Sequence, residues 1–205
     1  AAGGGWSGGI FKYRAEWLEH VRASSGNNEV LIYVHGFNTQ QAHNLQRMKR
    51  LQEGLFNEGF SGAVIGFDWP SFGHWSSYDG DQRKAEKSAE FLLSELIGPM
   101  LEMNNAPKVH LFAHSMGAYL IQHGFKHYSG SMPSGKKIET ISFASADADQ
   151  NSMRLNTSTA KQLEKFGRRF TNYASMKDEI LTISKTFPNG GEERLGRGGM
   201  PSNAF

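Results

Sequence analysis

Ser115 closes the run Val109-His110-Leu111-Phe112-Ala113-His114-Ser115 and is followed by Met116 and Gly117, so an apolar strand pattern passes into a helical one with no loop between. Small residues, Ala113 and Gly117, flank the serine at minus two and plus two. A strand-serine-helix corner needs that spacing, because bulky neighbours would keep the helix from folding back on the strand, and the sharp turn lifts the hydroxyl into the open. The corner also leaves the amide of Met116 at a helix amino terminus, where it can stabilise a developing oxyanion. The usual form is G-x-S-x-G, and Ala113 here replaces its first glycine. A serine capping an ordinary helix would show the same five residues, so a second segment decides the reading. Upstream, the apolar stretch 30–34 ends in His35-Gly36-Phe37-Asn38. A loop of this kind after a strand can supply the other oxyanion amide, here that of Phe37, with Asn38 placed to brace the loop and meet a substrate.

A serine nucleophile needs a base, and the base an orienting carboxylate. In hydrolases with this kind of corner the chain order is serine, acid, histidine. Asp147 and Asp178 each follow a strand candidate, Asp178 by a short turn. All the histidines lie at or before His127, so none follows either acid. Three explanations stay open: further residues beyond Phe205 that carry the base, a naturally short protein without it, or a histidine recruited from elsewhere; the first ranks highest. His114 is adjacent to the serine but is expected to point to the other side of the corner, and His35 to support the loop it opens. His74 is the internal substitute. It lies in the aromatic stretch Trp69-Pro70-Ser71-Phe72-Gly73-His74-Trp75, which is expected to line a ligand pocket, with Trp69 against the substrate, or to form a lid.

Such side chains must be held by a framework. Strand candidates at 30–34, 63–69, 109–113, 138–144 and 170–174 alternate with helical periodicities at 40–58, 81–103, 116–128 and 157–169. Near-continuous apolar strands separated by helices predict an α/β fold, with a mostly parallel sheet covered on both faces. A length of 205 residues fits a single domain over 1–205, with Gly-rich segments at 1–9 and about 190–205 expected as loose tails. The formal charge is +2 and no basic stripe is present, so nucleic acid is not an expected partner. There is no cysteine, which removes disulfides and thiolate chemistry and leaves the compartment open. Neither a metal nor a cofactor is expected, since Gly3 to Gly9 follows no strand and is no nucleotide fingerprint. No apolar run approaches the roughly 20 residues of a membrane-spanning helix.

The HGFN segment, the strand ending Phe67-Asp68-Trp69-Pro70-Ser71, the AHSMG corner, Ala146-Asp147-Ala148-Asp149, Tyr173-Ala174-Ser175 with Asp178-Glu179-Ile180-Leu181, and Arg194-Leu195-Gly196 together resemble a bacterial α/β-hydrolase family of uncharacterised serine esterases. The likeness covers roughly 30–196. It implies the α/β-hydrolase fold, a nucleophile at Ser115, Asp178 rather than Asp147 as the acid, and a further strand and histidine loop that are missing by Phe205. The family often has Asn where this chain has Ala118. The expected function is cleavage of small carboxylic esters through an acyl-enzyme at Ser115. The alternative is a non-catalytic hydrolase-fold module that binds an acyl ligand or a protein partner.

Overall fold

A computed structural model describes residues 14–71, 77–130, 133–186 and 189–205. The chain enters through α1 (Arg14–Ser24), then β1 (Glu29–Val34), α2 (Gln41–Asn57) and β2 (Ala63–Phe67). Next come α3 (Tyr78–Phe91), a π-helical turn (Leu92–Ile97), α4 (Gly98–Glu102), β3 (Lys108–His114) and α5 (Met116–His127). The remainder is β4 (Thr140–Ala144), α6 (Ser158–Phe166), β5 (Phe170–Tyr173), α7 (Glu179–Thr186) and α8 (Leu195–Gly198).

The five strands pair in the order β2-β1-β3-β4-β5, every pair parallel. β1 passes its chain leftward to β2, whereas β3, β4 and β5 are added one after another on the right. The right-handed crossover rule then puts α2 on one face and α3, α5 and α6 on the other. In agreement, α5 packs between α3 and α6. Chain direction therefore reverses between β1 and β3, and the carboxyl ends of strands at such a switch point leave a crevice in which α/β proteins bind ligands.

Val30, Ile32, Val34, Val109, Leu111, Ala113, Ile141 and Phe143 are fully or almost fully buried along the central strands. From α5, Met116, Leu120, Ile121 and Phe125 join them. Gly124 lets α5 approach α3 closely, for a Cβ there would lie 3.1 Å from that of Ala89.

Several expectations shift. The predicted helix at 81–103 is a helix, a π turn and a short helix. Pro99 has no amide to give to the carbonyl four residues back, and the wider turn lies just before it. The β4 candidate begins at Thr140 rather than at 138, with Ile138 left in an isolated bridge to Gly167. α1 and α7 carry no long apolar period in the sequence; α1 is anchored by buried Leu18 and Val21, with Trp17 packed against the core beside them. The stretch expected as a loose carboxyl-terminal tail is packed: Leu195 is fully buried, Leu155 donates its amide to the Asn203 carbonyl at 2.8 Å, and the Phe205 ring lies tilted against Phe170 with centroids 5.8 Å apart. The residues 1–9 lie outside the described residues, as do 72–76. No helix among the described residues is long and apolar enough to cross a membrane.

Candidate functional site

β1 and β3 are direct neighbours, with Val34 opposite Ala113, so the loops that leave them start side by side. Gly36 is where they touch: a Cβ there would stand 2.7 Å from the Cβ of Ser115 and 3.0 Å from the His114 carbonyl oxygen. Gly117 makes the matching contact from the helix, since a Cβ would lie 2.5 Å from the Val34 carbonyl oxygen and 2.6 Å from that of His35. The small residue two places after the serine is thus required because α5 begins against the backbone of β1. Ser115 itself has φ 54 and ψ −125, left-handed backbone that a non-glycine residue adopts only when its surroundings force it. They do so through main-chain bonds. The Ser115 amide donates to the Ala144 carbonyl at 3.1 Å, and its carbonyl accepts from Ala118 at 2.9 Å and from Asp147 at 3.1 Å.

A cavity of about 290 Å³ opens over this corner. Ser115, His114, Asp178 and Arg47 contribute its polar groups, Phe37, Ile180 and Leu181 much of its apolar wall. Asn38 and Ser145 complete the lining, and both, like Ser115, have positive φ, at 55 and 46. Strained backbone gathers around one crevice at the switch point, as it does at functional sites. Asp178 caps α7, accepting the Leu181 amide at 3.0 Å, so its carboxylate is held at the cavity by the start of a helix.

His114 does not turn away from the serine as expected. The reversal of φ at Ser115 breaks the strand's alternation of faces, and both side chains line the same cavity. Its Nδ1 is buried with no hydrogen-bond partner. Burial holds the His114 pKa below its ordinary value; the Arg47 charge lowers it further, while Asp178 acts in the opposite sense.

His35 lies behind the loop and is fully buried. With its proton on Nδ1 the ring donates to the Gly36 carbonyl at 2.9 Å and accepts the Trp69 amide on Nε2 at 3.2 Å. Asp68 Oδ1 also lies 3.2 Å from Nε2. The contact with His35 is the main reason that the Asp68 pKa is lowered. Trp69, expected against a substrate, is 2% exposed and does not line the cavity: its ring stacks on His35, and its Nε1 donates to the His35 carbonyl at 2.9 Å. It is a prop for the loop. The Asn38 main-chain amide donates to Ser71 Oγ at 2.9 Å, and Ser71 in turn donates to Asp81. His74 lies outside the described residues.

Asp147 is neither at the cavity nor solvated. It is 3% exposed and its carboxylate accepts from Tyr78 (2.7 Å), Ser184 (2.5 Å) and Arg194 Nε (2.8 Å), while Arg194 also donates to the Asp147 carbonyl. Burial, reinforced by the Asp147 charge, pushes the Tyr78 hydroxyl well above its ordinary pKa. The Arg194-Leu195-Gly196 segment serves this anchor. Leu195 and Gly196 donate their amides to Ala148 and Ala146, and a Cβ on Gly196 would collide with the Ala146 backbone nitrogen.

A family model for alpha/beta hydrolases of unknown function, DUF900, matches residues 12–201. The chain belongs to that family. This α/β hydrolase is also 38% identical over 61 residues to the uncharacterized protein alr1448 of Nostoc sp. (strain PCC 7120 / SAG 25.82 / UTEX 2576), a match that covers 30% of the chain and 16% of that protein's length. Two residues that line the cavity escaped sequence reasoning. Arg47 reads as an ordinary solvated cation in the middle of α2, and Ser145 as the end of a strand. Their place at the cavity follows only from the approach of α2 and β4 to the same crevice. Among the described residues, no three His, Asp or Glu side chains are grouped as metal ligands would be.

Proposed function

We propose that the protein hydrolyses carboxylic esters through an acyl-enzyme at Ser115. The observation that carries this reading is the backbone of Ser115, at φ 54 and ψ −125 on a strand-to-helix corner that opens into a cavity shared with Asp178. Ser115 Oγ attacks the ester carbonyl carbon and gives its proton to an imidazole oriented by Asp178. The amides of Phe37, in the loop after β1, and of Met116, the first residue of α5, hold the oxyanion. Collapse of the tetrahedral adduct breaks the bond to the alkoxy group, which leaves as the alcohol after taking the proton back from the imidazole. Water then adds to the acyl-serine by the same steps in reverse, and the acid is released.

His114 is the histidine that lines the cavity among the described residues. His114→Gln and His74→Gln, made in turn, identify the base by which one abolishes turnover; retention of turnover in both assigns it to another ring. The reading itself is tested by incubating the protein with a fluorophosphonate and measuring intact mass. A single adduct that disappears in Ser115→Ala is the expected result. No adduct, or one that survives the substitution, refutes the serine mechanism and leaves the cavity as a binding site.

A further inference from the structure

Arg47 gives the cavity a permanent positive charge that the ester chemistry does not need. Its guanidinium is steered from the framework: Nη1 donates to Thr39 Oγ1 at 3.1 Å, the Tyr33 hydroxyl is a further partner, and Thr39 in turn bonds to the Phe37 carbonyl at 3.3 Å. Thr39 is buried, so the loop that carries Phe37 also fixes the guanidinium. Contrast Arg194, whose charge is met by Asp147 at 2.8 Å. Among the described residues no carboxylate lies within ion-pair range of Arg47, although Asp178 lines the same cavity. A guanidinium carries five N–H donors in a planar fork suited to a carboxylate or phosphate. In the same cavity, Phe37, Ile180 and Leu181 offer apolar surface. The cavity's 290 Å³ lies at the small end of ligand sites, which run from roughly 300 to 1,000 Å³, and suits a compact molecule better than a long acyl chain.

We infer that the substrate is a short ester bearing an anionic group, a carboxylate or a phosphate, that Arg47 binds while the ester carbonyl rests on Ser115. The inference rests on the ester-hydrolase reading of this cavity. Its test is made by binding, so that its failure and a failure of that reading are told apart. Isothermal titration of the protein compares N-methylsuccinamate, an unreactive anionic analogue of a half-ester, with neutral N,N′-dimethylsuccinamide and with propyl phosphate. A charge-assisted pair of this kind corresponds to about a ten- to hundredfold difference in affinity. The expected result is that at least one anion binds tighter than the neutral diamide by that factor. Arg47→Gln, checked for folding by its melting temperature, should remove the difference and Arg47→Lys should restore part of it. The tighter of the two anions identifies the anionic group. Equal affinity for the neutral probe, or a preference that persists in Arg47→Gln, overturns the inference. An anion preference without any fluorophosphonate adduct would instead uphold the binding role of Arg47 and defeat the serine mechanism.

Discussion

Asp147→Asn should unfold the protein more readily without dismantling the nucleophile. The substitution keeps the side chain's shape and removes its charge, leaving Arg194, 2% exposed, as a buried cation without its carboxylate. Breaking a buried ion pair from one side costs about 3–5 kcal/mol. The lower part of that range applies here, because the Asp147 main-chain carbonyl still accepts from Arg194 Nη2 at 2.7 Å. One of the hydroxyl donors, Tyr78 or Ser184, would also face an amide nitrogen and lose its acceptor. For a chain of this length each kcal/mol moves the melting temperature by roughly 2–4 °C, so a fall of about 6–12 °C is expected. Thermal melting followed by circular dichroism reads it, with urea titration giving the free energy. A double-mutant cycle with Arg194→Gln should return a coupling of at least about 1 kcal/mol. Below the melting range, the fraction labelled by fluorophosphonate should stay close to that of the unaltered protein, since the bond to the Ser115 carbonyl comes from the Asp147 amide rather than its side chain. A melting temperature within about 2 °C of the original, or no coupling with Arg194, would refute the anchor.

Asp178→Asn should do the opposite: the cap on Leu181 survives, so stability holds, while turnover of activated esters falls by about four orders of magnitude if the carboxylate orients the base. Gly117→Ala should cut labelling of Ser115 by on the order of a hundredfold, because the new methyl meets the Val34 carbonyl oxygen at 2.5 Å and pushes α5 off β1; unchanged labelling would show that the elbow tolerates the shift. Stability should fall between pH 7.5 and 5.5, above the carboxylate range. Burial lowers the pKa of His110, His114 and His123 below the ordinary 6.5. Folding therefore favours their neutral forms, and this contribution is complete above that value and lost as the pH falls through the folded-state values. Urea midpoints measure the slope, which should flatten in His123→Gln; a flat profile in the unaltered protein contradicts the assignment.

The strand-helix alternation was legible because the parallel strands are buried on both sides and write themselves as apolar runs. The serine corner was legible for a local reason too, since Gly117 and the strand before Ser115 are set by contacts within a few residues of chain. The acid was harder. Asp147 and Asp178 both follow strands, and nothing in their immediate neighbours reveals that Arg194, far along the chain, buries one of them while a helix start holds the other at the cavity. Trp69 misled for a similar reason: an aromatic residue beside Pro and Ser looks like a pocket wall until His35, brought alongside by β1, takes the whole face of its ring. Arg47 had no local signal at all.

The family segments form one mechanical chain rather than separate motifs. Trp69 holds His35 through its amide and its indole, and His35 holds the Gly36 carbonyl; Gly36 in turn bears on Ser115. From the other side, Asp147 holds the Ser115 carbonyl and Arg194 holds Asp147, while the Gly196 carbonyl accepts the Ser175 amide at the start of the turn that carries Asp178. A serine kept at φ 54 costs of order 1–3 kcal/mol of backbone strain, and such strain persists only where several independent contacts oppose its release. Here they come from four strand ends. Loosening the contacts on the Gly36 side or at Gly117 should relax Ser115 toward ordinary backbone before it unfolds the sheet, so variants at Trp69, Gly36 and Gly117 should lose serine labelling at temperatures where their circular dichroism is still native. Labelling and ellipticity that decay together in all three would show that the corner is held by the fold as a whole and not by this chain of contacts.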